Sequence, residues 1–391
     1  MTLRAHAFWA LLCFILVEGC TSTALPPIGT TSTPFTRESD EKRLFEDSRR
    51  FEASLEKSRA LSYDTALEAY LTQVADGLLT QEVRATGVKV RVRVIRLLLP
   101  PNAFVLPDGT IYVHSRMLVV MENEAQLAAI LGHELVHFIN RHLVKERREA
   151  RSKAALSAAL SSMLPVTPLT GEVAELFSLA AIRGYSGERE TEADIVGFKL
   201  VVQAGYDPAE VLKIFEALQR EAPPGQSEGF FFATHPRLKE RINSTRELLL
   251  SGYASRDPEA VRRVGREEFE RAISDLLLEN ASMELRSGRF QEAKRSIERH
   301  LAANPMSPRG HFLRGEWWRL SGDGDHEAIQ AYENAVQYDA RFPEPRRELG
   351  LLLRTRGERE AARAQLQRYL ELAPQAPDAT IIRGYLNALS K

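Results

Sequence analysis

Apolar residues recur at helical spacing through most of the chain, and at strand spacing in one short stretch. Within 40–79, Ala66, Leu67, Tyr70, Leu71, Val74 and Leu78 form a stripe along one helix face. Val88 to Ile95 reads V-K-V-R-V-R-V-I instead, and its period of two predicts a strand with valine on one side. Pro100-Pro101 breaks that strand, and Asp108-Gly109 is a turn signal leading into a second one, Thr110 to His114. The next segment carries its own start signal. Asn123 is an N-cap, Gln126 completes a capping-box pattern, and Leu127, Ala128, Ile130, Leu131, Leu135 and Phe138 follow as the apolar stripe of a helix. Arg141 to Arg151 reads as the exposed, charged last turns of that helix.

Further on, Ala154 to Leu164 is apolar and rich in Ala and Ser. Its length suits a core helix, and contact with a membrane is the alternative. Glu172 to Ile182 and Glu188 to Gln203 predict two more helices around a break at 183–187. Asp207-Pro208 opens another, to about Arg220. A Pro/Gly loop follows at 222–229. Phe230-Phe231-Phe232 then leads to His235-Pro236 and a helix ending near Leu250.

Beyond a polar gap at 251–258 the pattern is helical throughout and repeats itself. Gly288 to Ala293, Gly322 to Ala328 and Gly357 to Ala362 align, their alanines 35 and then 34 positions apart. Ala293 and Ala362 are each followed twelve residues later by proline, Pro305 and Pro374. A glycine turn, a small residue where two helices cross and a terminating proline resemble tetratricopeptide repeats. Such repeats stack into a solenoid with a concave face suited to a peptide or a partner protein.

The first twenty residues look like a targeting segment. Arg4 precedes an apolar run, Ala7 to Val17, too short to span a bilayer, and Val17-Glu18-Gly19-Cys20 resembles a bacterial lipobox with Cys20 as the lipidated residue. An ordinary secretory signal is the alternative reading. The Ser/Thr/Pro-rich stretch to Glu38 then serves as a tether. The expected organisation is a signal peptide at 1–19, a tether at 20–38, a globular domain at 39–252 and a repeat domain at 270–391. With 391 residues there is room for two or three domains, and a net charge of −1 argues against a dedicated nucleic-acid binder. Cys13 would leave with the signal and Cys20 would carry lipid, so the mature chain has no thiol chemistry.

The chemistry concentrates in His133-Glu134-Leu135-Val136-His137. Residues i and i+4 share a helix face, so His133 and His137 can present two imidazoles to one metal ion, with Glu134 beside it as a base for water. A catalytic zinc needs a third protein ligand and an open position. His142, five residues past His137, would point to another side of a continuous helix. Glu190 and Asp194, also i and i+4, are better placed: one could ligate the metal while the other orients a ligand histidine.

Taken in order, N-A-F-x-L-P-x-G at Asn102 to Gly109, H-E-L-V-H at His133 to His137, E-x-x-x-D at Glu190 to Asp194 and H-P-x-x-x-x-R at His235 to Arg241 resemble the M48 metallopeptidases. The likeness covers roughly residues 60–250. Together with a signal and C-terminal repeats it is similar to the bacterial periplasmic members. The resemblance implies a mainly α fold with a small β-sheet: a zincin-like (gluzincin) metallopeptidase domain followed by an α-solenoid of tetratricopeptide repeats. It implies one zinc ion per chain held by His133, His137 and Glu190, Glu134 as catalytic base, and Asp194 behind the ligands. A histidine at the place of His235 can approach the metal in such relatives; otherwise His235 is simply a helix-start residue. Arg241 would stabilise an oxyanion or pair with an acid. The strand Thr110–His114 would offer an edge to an extended substrate.

The expected function is a zinc endopeptidase acting on misfolded or stalled envelope proteins. Its expected location is the periplasm, lipid-anchored to the outer membrane, with an envelope protein bound through the repeats. The alternative is a repeat scaffold or chaperone whose protease site is normally shut.

Overall fold

The computed structural model describes residues 25–30, 35–152, 185–221, 235, 237–251, 262–322 and 324–389. The segments expected at 154–164 and 172–182, the loop at 222–234, and Cys20 with its signal segment lie outside the described residues.

The sheet comes first. Strands β1 (Arg91–Ile95), β2 (Ala103–Val105) and β3 (Thr110–His114) lie in the order β1-β3-β2, with β1 parallel and β2 antiparallel to β3. The expectation that Thr110–His114 offers an edge is therefore corrected: β3 is the middle strand, hydrogen-bonded on both sides. The strand β2 supplies the second partner and is too short to show a period of its own. Both faces of the sheet are covered, which is why all five residues of β3 are buried. On one face Val92, Val94, Ile111 and Val113 join the main core. On the other, Tyr112 stacks on Phe104 at 5.3 Å and meets Phe51 edge-on at 5.4 Å. Phe51 comes from α1 (Ser39–Lys57); among the described residues α2 (Thr65–Gly77) and α3 (Gln81–Ala85) follow it before the sheet.

After β3 the chain runs through α4 (Ser115–Val120) into α5 (Glu124–Ile139). The Asn123 side chain accepts from the Gln126 N–H at 3.0 Å, as the cap pattern predicts. The Gln126 carbonyl bonds the Glu122 N–H rather than closing back on Asn123. Every residue of α5 from Glu124 to Phe138 is buried, so this is a central helix with no solvent face. It does not run on into a charged extension. Arg141 sits at φ 58°, left-handed backbone that a non-glycine residue seldom adopts, and turns the chain into a separate helix, α6 (His142–Ser152). Arg141 itself is buried against Glu41 of α1, and Leu143 and Val144 join the cluster around Phe51.

The helix α7 (Gly187–Gln203) crosses α5 at a pair of glycines. A methyl group on Gly197 would sit 3.0 Å from the His133 nitrogen, and one on Gly132 would sit 3.3 Å from the Gly197 carbonyl. With glycine at both positions the backbones approach more closely than side chains there would comfortably allow. Helices α8 (Ala209–Arg220) and α9 (Leu238–Leu250) complete the peptidase half.

The repeat half starts with α10 (Arg266–Ala272) and continues as the hairpins α11 (Ser274–Arg286) with α12 (Phe290–Ala303), α13 (Pro308–Ser321) with α14 (Asp325–Tyr338), and α15 (Pro343–Thr355) with α16 (Arg359–Leu372), then α17 (Ala379–Leu389). Gly288, Gly322 and Gly357 make the turn in each hairpin at φ 71°, 83° and 78°. Ala293, Ala328 and Ala362 are fully buried where the paired helices cross.

Between the halves, residues 263–265 run against the peptidase. Arg263 exchanges main-chain bonds with Gly205 and Asp207 at 2.9 and 3.0 Å. The carbonyls of Val264 and Gly265 accept from the Ala125 and Glu124 N–H groups at 3.0 and 3.3 Å, so they cap the start of α5. Elsewhere Arg299 of α12 bonds the Val119 and Met121 carbonyls, both at 2.7 Å, and Arg116 of α4 pairs with Glu221 at 2.9 Å and lies 3.8 Å from Glu284 of α11.

Candidate metal centre

Four side chains converge beneath β2. His133 and His137 come from the third and fourth turns of α5, Glu190 from the first turn of α7, and His235 from the approach to α9. Their ligand atoms all lie within 4.8 Å of one another, and all four residues are buried. The two Nε2 atoms of His133 and His137 are 3.0 Å apart. Glu190 places one oxygen 3.4 Å from His137 Nε2 and the other 3.5 Å from His133 Nε2. His235 Nδ1 stands 3.1 Å from His133 Nε2 and 3.1 Å from Glu190 Oε1.

These spacings test whether zinc fits. Nitrogen and oxygen donors around a tetrahedral zinc, each bonded at roughly 2.0–2.1 Å, lie about 3.3 Å from each other. The observed separations scatter around that value. Three imidazoles and one carboxylate are also the donor types zinc takes. Glu134 strengthens the fit. It is wholly buried, and neither of its carboxylate oxygens takes a hydrogen bond among the described residues; His235 Nε2 lies 3.4 Å from Oε1. An acid left unpaired in such a place costs free energy unless a cation or a reacting group answers it.

The surroundings orient the ligands. Asp194, one turn after Glu190, has an oxygen 3.0 Å from His133 Nδ1, which leaves Nε2 facing the centre. Arg241 of α9 grips the same carboxylate through two bonds of 2.8 and 2.7 Å. Of the two readings for Arg241, the structure thus shows the pairing with an acid. Glu192 points away from the cluster, its Oε2 3.2 Å from His142 Nε2. His142 lies inside the site's surroundings after all, because the turn at Arg141 brings its Nδ1 to 2.8 Å from His137 Nδ1. Tyr185, which carried no role in the sequence reading, stacks on the His137 ring at 3.8 Å.

Burial dominates the acid–base balance. It pushes the Glu134 carboxyl up and the His137 imidazole down. Burial opposes charge on His133 too, but Asp194 and Glu190 outweigh it and lift that imidazole to about 9. Despite burial, Glu190 is held low by His235 and the other two imidazoles, and Asp194 is held low by Arg241 and His133.

Comparison with known proteins agrees with this geometry. Residues 65–249 match the model of peptidase family M48, and residues 323–387 match a tetratricopeptide-repeat model. The mitochondrial metalloendopeptidase OMA1 of Schizosaccharomyces pombe is 32% identical over 160 residues, covering 40% of this chain and 46% of that protein. The beta-barrel assembly-enhancing protease of Escherichia coli is 27% identical over 191 residues, covering 44% of this chain and 39% of its own length. A putative beta-barrel assembly-enhancing protease of Vibrio cholerae is 27% identical over 256 residues, covering 61% of this chain and 51% of that protein. The alignments thus span about half the length of these relatives or less. M48 metallopeptidases are zinc-dependent, in keeping with the buried cluster of His133, His137, Glu190 and His235. The chain thus carries a peptidase M48 domain over residues 65–249, followed by tetratricopeptide repeats.

Proposed function

We propose that the protein is a zinc endopeptidase of the bacterial cell envelope that cleaves misfolded or stalled envelope proteins. The observation that carries this reading is the four-donor cluster at the crossing of α5 and α7, with the buried Glu134 carboxylate, which takes no hydrogen bond among the described residues, beside it. His133, His137 and Glu190 would hold the zinc, which supplies Lewis-acid polarisation of a peptide carbonyl. Glu134 accepts the proton of the attacking water on its carboxylate and passes it to the departing amine; burial, which raises its affinity for protons, favours the first transfer. Asp194, locked by Arg241, fixes the His133 ring.

The extended substrate docks on β2 rather than β3. The alternation of a strand turns the Ala103 and Val105 main chain away from β3, and the Ala103 carbonyl already lies 3.5 Å from His235 Nε2. The repeats select substrate or hold an envelope partner, and Cys20 carries a lipid that tethers the protein to the periplasmic face of the outer membrane. Among the described residues no helix is long and apolar enough to cross a membrane. Mass spectrometry of the mature N-terminus tests the lipid; an unmodified residue 20 would remove the anchor from this reading.

One observation favours a second reading. His235 stands where a fourth ligand would stand, and with four protein donors no position remains for water. In that reading the site is latent, and the repeats act as a scaffold or chaperone. Zinc content and casein cleavage, measured on the protein lacking its first twenty residues, separate the two. An active wild type silenced by Glu134→Gln supports the protease. Zinc without cleavage, with activity unmasked by His235→Ala, supports latency. Absence of zinc from the wild type overturns both.

A further inference from the structure

We propose that His142, backed by Glu192, is the positioning residue for His137, fixing it through an imidazole-to-imidazole hydrogen bond where His133 is fixed by a carboxylate. The inference rests on the zinc reading above.

Its ground is the direction of the ring atoms. His137 turns Nε2 toward His133 and Glu190 and turns Nδ1 the other way. An imidazole that gives its Nε2 lone pair to a metal keeps its proton on Nδ1, and that N–H needs an acceptor. The atom it meets, at 2.8 Å, is His142 Nδ1. A neutral imidazole accepts only through its unprotonated nitrogen, so His142 must bear its own proton on Nε2. That nitrogen faces Glu192 Oε2 at 3.2 Å. The chain of bonds therefore has one sense throughout, from His137 to His142 to a carboxylate whose side chain is 49% exposed.

The local fold exists to make this contact. In an unbroken helix a residue five positions on is rotated about 140° from its predecessor and cannot meet it. Here α5 stops, Arg141 adopts φ 58°, and residue 142 swings back over His137. The turn is held by Arg141 itself, with Nε 2.8 Å from Glu41 Oε1 and its cation 5.0 Å from the Phe35 ring centroid. Tyr185, stacked on His137 with the planes 15° apart, stops the ring from tilting out of the bond.

Zinc affinity by chelator competition tests the inference in His142→Leu, His142→Asn and Glu192→Gln. Loss of an outer partner of a ligand histidine weakens metal binding about 10–100-fold, and His142→Leu should show that loss. His142→Asn offers a carbonyl oxygen in the same direction and should stay within about threefold of wild type. Thermal unfolding with excess chelator reports any folding defect separately. Wild-type zinc affinity in His142→Leu, or equal losses in the Leu and Asn variants, overturns the proposal. Long-range 1H–15N spectra of the zinc-loaded wild type need no variant: an Nε2–H tautomer at His142 supports it and an Nδ1–H tautomer overturns it. A wild type that binds no zinc sinks the metal reading itself, a result distinguishable from either.

Discussion

Single side chains already divide the labour at the proposed centre. Asp194 answers both His133 and Arg241, so Asp194→Asn removes the orienting charge and takes from the buried Arg241 guanidinium the carboxylate it grips, leaving Glu190 at 3.6 Å. Zinc affinity should fall about 10–100-fold, and the protein in excess chelator should lose roughly 3–5 kcal/mol in urea unfolding. Unchanged values in both measurements would remove Asp194 from the account. Glu134→Gln should keep its zinc and lose about 10²–10⁴-fold in peptide hydrolysis; loss of the metal as well would point to a ligand rather than a base. These residues differ in how far the sequence exposes them. The i, i+4 spacing of His133 and His137 on a capped helix is legible from the chain alone. Choosing Glu190 over Asp194 took the family resemblance, since both sit on one face. His142 was misplaced because nothing local announces that Arg141 will take left-handed backbone.

The elements bring the ligands together through one close crossing. Gly132 and Gly197 let α5 and α7 approach until a methyl group on Gly197 would stand 3.0 Å from the backbone nitrogen of His133, a proposed ligand. Gly197→Val should push α7 outward, carrying Glu190 and Asp194 with it. Overpacking of this kind costs about 1–3 kcal/mol, and zinc affinity should drop with stability. Wild-type zinc binding in Gly197→Val would show that the crossing has slack. The sheet taught a different limit. Period two reveals β1 and the Asp108-Gly109 turn signal reveals β3, but strand order is decided by pairing in space. A strand of three residues, β2, was enough to move β3 from edge to middle.

At the scale of the whole molecule, the repeat hairpins were the most legible part, because turn glycines and crossing alanines recur with fixed spacing. Their attachment to the peptidase was not, since it joins main-chain bonds and scattered charges to Phe269, Ile273, Leu276 and Leu277, which enter the peptidase's own core. Glu284 is one of those charges. Burial at the junction, only partly offset by Arg116, raises its carboxyl to about 7 from an ordinary 4.5. Between those values the unfolded chain sheds the proton that the folded one keeps, so this group's contribution to stability falls as pH rises and levels off above about 7. Glu284→Gln removes that fall. Its urea midpoint should exceed wild type by more at pH 8 than at pH 4.5, and a gap independent of pH would refute the assignment. The junction also bears on load. Arg263, Val264 and Gly265 tie the root of the solenoid to Gly205, Asp207 and the opening N–H groups of α5. A pull on the repeats would thus reach Gly205, Asp207 and the opening turn of the helix that carries His133 and His137 together, through four main-chain hydrogen bonds and the Arg263–Glu124 ion pair at 2.6 Å.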